Sequence, residues 1–96
     1  MELKRIVRDA ASEMLPIQKA VVKSITKEVG FSLHSHATQV NILRHLRRDI
    51  WPEAKKVLKK FKSKGIIAKH RTDTFCWTVF GREIAKEVHF LENKFK

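Results

Sequence analysis

The chain is poor in the features that most small catalytic or secreted proteins rely on. Its one cysteine, Cys76, cannot form an internal disulfide, so an oxidised, disulfide-stapled scaffold is excluded. No apolar run approaches the ~20 residues that span a bilayer. The charged start Glu2-Leu3-Lys4-Arg5 leads into no signal-type apolar block. There is no glycine-rich phosphate loop, no acid pair in a pocket-like context and no Ser/His/Asp arrangement, so no catalytic residue is assigned and a non-enzyme is expected. His34-x-His36, with His45, His70, His89 and Cys76, does not reproduce the spacing of structural zinc sites, which pair ligands about two to four residues apart on both sides. Neither a metal nor a cofactor is expected. A chain of 96 residues has little room for a deep pocket of its own, and no small-molecule ligand is expected. Repeats, linkers and low-complexity tracts are absent, which reads as one domain over 1–96.

Acids are also scarce. Ten Asp and Glu stand against 21 Lys and Arg, a net charge of +11, while hydrophobic residues at 43% suffice for a folded core. The excess is concentrated. Between Arg44 and Arg71 there are eleven bases and two acids, Asp49 and Glu53, or +9; the rest of the chain carries ten bases, eight acids and +2. Charge acquired only for solubility would be scattered, so this concentration points to a face that binds a polyanion.

The apolar spacing divides the chain into elements. Leu3, Val7, Ala10 and Met14 form a helical stripe flanked by Ile6 and Ala11, closing at Leu15 before Pro16. Pro16 opens a second helix with Ile17, Ala20, Val21, Ile25 and Val29 inward, ended by Gly30. Phe31–Ala37 reads as a loop with one short extended piece at Phe31–Leu33. A third helix is predicted from Thr38, as N-cap, to Asp49, with Val40, Leu43 and Leu46 inward. The chain breaks at Ile50-Trp51 before Pro52, which opens a fourth helix running to Gly65 with Ala54, Val57, Leu58 and Phe61 inward. The period then changes to two. Ile66–Arg71 and Thr74–Phe80 read as a β-hairpin about Thr72-Asp73, with Phe75, Trp77 and Val79 on one face. A last helix spans 81–96 with Ile84, Val88, Leu91 and Phe95 in line.

At about 100° per residue, Lys56, Lys59, Lys60 and Ser63 lie opposite the apolar side of the fourth helix, with Lys55 and Lys62 on one flank and Lys64 on the other. Solvated helix faces usually mix signs to gain i,i+4 pairs. Here seven lysines between Glu53 and Asp73 meet no acid, and phosphate is the natural counter-charge.

The segment Val57-Leu58-Lys59-Lys60-Phe61-Lys62-Ser63-Lys64-Gly65-Ile66-Ile67, followed by a hairpin and by Thr78-Val79-Phe80-Gly81-Arg82-Glu83-Ile84-Ala85, resembles the recognition helix, wing and exit of the winged helix-turn-helix family. The resemblance covers about Pro16 to Phe90. The link Asp49-Ile-Trp-Pro52 departs from the family's small-residue turn. It implies an α+β, mainly α fold: a winged helix-turn-helix core over 16–80 with one β-hairpin wing, an extra N-terminal helix over 1–15 and an extra C-terminal helix over 81–96. It also implies binding of double-stranded DNA as a transcription regulator. Lys55, Lys56, Lys59 and Lys60 would meet the groove and its phosphates, Lys69 and Arg71 would act from the wing, and Arg44, Arg47 and Arg48 would clamp a phosphate beside the groove. The expected setting is cytoplasmic and nucleoid-associated, with no membrane partner. Two further readings are an RNA-binding winged helix in a ribonucleoprotein and a basic module for an acidic protein partner.

The terminal stripes share a 4-3-4 spacing, and two short helices are hard to bury on a small monomer. A homodimer is therefore expected, with Leu3, Val7, Met14, Ile84, Val88, Leu91 and Phe95 at its interface.

Overall fold

In the computed structural model, which describes residues 2–71 and 73–94, the chain is an α+β domain dominated by helix. The order is α1 (Glu2–Ser12), α2 (Pro16–Val29), β1 (Ala37–Thr38), α3 (Gln39–Arg44), a 3₁₀ turn (Arg48–Ile50), α4 (Trp51–Ser63), β2 (Ile67–Arg71), β3 (Thr74–Trp77) and α5 (Val79–Lys94). The strands form one antiparallel sheet in the order β1-β3-β2, with Ala37 opposite Phe75 and Ile67 opposite Trp77. Between Lys69 and Arg71 the register slips, leaving His70 unpaired in a bulge that bends the hairpin.

One core joins every layer. Val21, Val22 and Ile25 of α2, Ile42 of α3, Leu58 and Phe61 of α4, Ile67 and Trp77 of the sheet, and Ile84 and Val88 of α5 are all buried. Two polar atoms inside this core are satisfied across long sequence separations: Ser24 Oγ donates to the Ile42 carbonyl, and Trp77 Nε1 donates to the Gly30 carbonyl at 2.8 Å. Local signals set the helix ends. Leu15 N–H donates to Gln18 Oε1 at 2.9 Å ahead of Pro16, and Thr38 Oγ1 accepts from Asn41 N–H at 3.1 Å.

Four expectations are corrected. The third helix ends at Arg44, because the Leu46 carbonyl takes the Trp51 indole N–H at 3.1 Å and Arg47 adopts an extended backbone. Val40 is 70% exposed, and Ile42 takes the inward position beside Leu43. The extended piece after α2 is Ala37–Thr38, fixed by pairing with β3, rather than Phe31–Leu33. The last strand stops at Trp77 and the last helix starts at Val79, not Gly81. Thr78 is the cause: its Oγ1 accepts from Gly81 N–H at 2.9 Å and its carbonyl accepts from Arg82 N–H at 2.9 Å. This cap outweighs the β-propensity of Val79-Phe80, and Val79 faces solvent.

The two terminal seams meet each other. α1 packs chiefly on α5, burying Val7 and Ala11 against Ile84 and Val88, with Met14 and Leu91 half-buried beside them. Assigning Val7, Ile84 and Val88 to an intermolecular surface is thus corrected: their own chain covers them. Leu3 remains exposed, and Phe95 lies outside the described residues.

Candidate nucleic-acid interface

The basic face is built on α4. Burial of Ala54, Val57, Leu58 and Phe61 fixes the rotation of this helix, which leaves Lys55, Lys56, Lys59, Lys60, Lys62 and Lys64 in solvent. Glu53 stands in the first turn and lysines in the last, both favourable to the helix dipole. Gly65 then reverses the chain at φ 74°, a left-handed conformation that suits glycine. Ile66 N–H returns to the Phe61 carbonyl at 2.9 Å, which lays β2 alongside the helix.

The lysines divide into two sides. Lys55, Lys59 and Lys62 line a groove between α4 and the hairpin, facing Lys69 and Asp73 across a floor of Leu58 and Phe75. Gln39, from the start of α3, lines the same groove, and its backbone N–H donates to the Asp73 carbonyl at 2.8 Å, holding the hairpin tip against α3. Lys60 and Lys64 border a second depression formed with Glu13, Leu15 and Gln18. Lys56 is exposed on α4 and lines neither depression. Arg71 is exposed near the hairpin tip, its N–H donating to Thr74 Oγ1 at 2.9 Å.

The structure therefore gathers Lys55, Lys59 and Lys69 from the expected set and sets Lys60 on the opposite flank. It adds Lys62 and Gln39. Lys62 was readable, being three residues from Lys59 and seven from Lys55 on one helix. Gln39 carried no sequence signal, since it reaches the groove only through the pairing of β1 with β3.

The three arginines before α4 differ from the lysines. Arg44 Nη2 lies 3.6 Å from Glu28, Arg47 Nη2 lies 3.0 Å from Asp49, and the Arg48 guanidinium sits 5.5 Å from the centroid of the Trp51 ring. Glu28 also accepts a 2.5 Å hydrogen bond from the His45 ring. That bond, with the charges of His45 and Arg44, outweighs the opposing effect of burial and holds the Glu28 carboxyl below its usual value of 4.5. Among the described residues, the ion pairs lie outside α4 and the hairpin, so the lysines of α4, Lys69 and Arg71 carry no partner carboxylate within 4.0 Å.

On the outer side of the sheet the rings of His36 and His70 stack with centroids 3.8 Å apart, and half-buried Cys76 points its thiol toward the Ala68 carbonyl at 3.8 Å. Among the described residues no group of three His, Cys, Asp or Glu is arranged to hold a metal ion, and no helix is long and apolar enough to cross a membrane.

No protein-family model, curated protein or solved structure matches the chain. The face has to be read on its own chemistry. The face joins a helix of exposed lysines to a groove lined by Lys55, Lys59, Lys62, Lys69 and Asp73.

Proposed function

We propose that this chain is a winged helix-turn-helix protein that binds double-stranded DNA and serves as a nucleoid-associated transcription regulator. The observation that carries the reading is the unpartnered lysine set of α4 together with its groove to the hairpin. The order α2-β1-α3-α4-β2-β3 and the sheet order β1-β3-β2 support it, because they set a helix and a hairpin side by side on one surface.

In this reading α4 enters the major groove. Lys55, Lys59 and Lys62, with Lys69 across the groove, hold one phosphate strand, while Lys56 and Lys60 reach toward the other. Arg71 extends the contact from the hairpin tip. Arg44, Arg47 and Arg48 are secondary contacts. The exposed Arg47–Asp49 pair contributes at most about 1 kcal/mol, and the Arg44 side chain is itself exposed, 3.6 Å from Glu28, so phosphate can compete for both guanidinium groups. Lysine supplies attraction independent of sequence, whereas bidentate base reading favours Arg, Asn or Gln. Gln39 is the one such amide lining the α4–hairpin groove, so discrimination between base sequences is modest and rests there.

The test is competition between a double-stranded DNA and a structured RNA for the full chain at about 150 mM salt, where exposed charges are screened beyond about 8 Å. DNA should displace RNA. Equal or better binding to RNA would overturn the DNA reading in favour of a ribonucleoprotein role, since the deep, narrow major groove of A-form RNA excludes a helix. Absence of any nucleic-acid complex would leave the acidic-protein reading.

A further inference from the structure

We propose that two copies of this chain associate through the exposed edge of the α1–α5 layer, with Leu3 and Phe90 at the centre of a two-fold interface. Packing of α1 on α5 uses Val7, Ala11, Ile84 and Val88 internally. It leaves Leu3 at 52%, Ile6 at 54% and Phe90 at 60% exposure. Leu3 and Phe90 line one groove between the two helices, bordered by Lys4 and Arg8 from α1 and by Glu83, Lys86 and Glu87 from α5, a rim of mixed sign. An apolar centre with a polar rim is the anatomy of a protein interface.

Charge selects the occupant. At +11, two copies repel across most of their surfaces, and most strongly across α4. α1 and α5 are the exception: together they hold six bases and five acids. This nearly neutral layer is where two such molecules approach at least cost. A two-fold axis lying along the groove sets α1 of one copy against α5 of the other, which brings Lys4 and Arg8 toward the partner copy's acids. The protomer already uses this pairing within itself, where Arg8 Nε lies 3.8 Å from Glu87 Oε1. A nucleic acid would meet those carboxylates unfavourably, and a strongly acidic protein would meet them likewise. The complement of a mixed-sign face is the same face on a second copy. The interface leaves α4 free, so each dimer presents two lysine helices and gains avidity for a polyanion.

Sedimentation equilibrium of the full chain without nucleic acid, from about 5 to 500 µM, tests this. The mass should rise to that of a dimer. Leu3→Ser with Phe90→Ser should raise the dissociation constant at least about tenfold with an unchanged circular dichroism spectrum. Val40→Ser, at a more exposed apolar site elsewhere, should leave it unaltered. A monomer throughout the range overturns the proposal, as does a double variant that dimerises like the parent. Because no nucleic acid is present, either result leaves the DNA reading standing.

Discussion

Replacing Lys55, Lys59 and Lys62 together with alanine removes three of the cations that line the groove between α4 and the hairpin. All three side chains are exposed, and none belongs to an ion pair among the described residues, so the fold loses no contact of consequence. Alanine is a strong helix former, and like-charge pairs three and four residues apart cost roughly 0.2–0.5 kcal/mol each, so stability should hold or rise slightly. Binding should not hold. Each phosphate neutralised on duplex DNA contributes about 0.9 to the slope of log affinity against log salt, so three lost contacts flatten it by about 2.7. Between 50 and 200 mM salt the parent should therefore lose roughly fortyfold more affinity than the variant. Fluorescence anisotropy of a labelled duplex, titrated at several salt concentrations, reads both slopes. A variant that melts like the parent yet keeps the parent's slope would refute the assignment of this groove to phosphate.

Two further outcomes follow from the packing and from Glu28. A Cβ added at Gly81 would lie 1.7 Å from the Ile66 carbonyl oxygen and 3.0 Å from the Trp77 ring, and the backbone of Ile66 cannot swing aside. Gly81→Ala should cost about 3 kcal/mol and lower the melting temperature by at least about 12 °C; an unchanged melting curve would contradict the close approach of α5 to the Ile66 backbone. Because the Glu28 carboxyl titrates below its usual value in the folded chain, its contribution is fully present above pH 4.5 and is lost as pH falls through the lowered value. Urea midpoints should show Glu28→Gln less stable than the parent at pH 7, with the gap closing as pH drops below 4.5; a constant gap down to pH 3 would refute the pairing with His45 and Arg44.

The helices with long apolar stripes were legible from spacing alone. Pro16 and Gly30 bracket α2, and Ala54, Val57, Leu58 and Phe61 fix the inward side of α4. What escaped was decided by contacts distant in sequence. Val79-Phe80 continues a strand pattern, yet the Thr78 hydroxyl also donates to the Gly65 carbonyl at 2.5 Å, and a cap anchored to the far end of α4 leaves no local trace. The short α3 owes its end to an indole seven residues downstream, and its inward residue to a two-residue strand paired with β3. In the candidate site the lysines of α4 were visible as a pattern. The division of that pattern into a hairpin side and an α1 side was not, because it depends on which neighbours flank the helix. The arginines before α4 looked free in sequence. Glu28, Asp49 and Trp51 engage them in three dimensions.

The packing of α1 on α5 bears on how the chain is made. α1 is translated before the rest of this domain, but its principal partner is the helix that begins at Val79. At about 5–20 residues per second the ribosome needs several seconds to reach α5. During that interval Val7 and Ala11 have no surface to bury against, and a helix of 11 residues is too short to persist in water by itself. α1 therefore leaves the ribosome well ahead of its partner and is among the last elements of this domain to fold. Its apolar stripe is open to chaperones, or to another nascent copy, until α5 arrives.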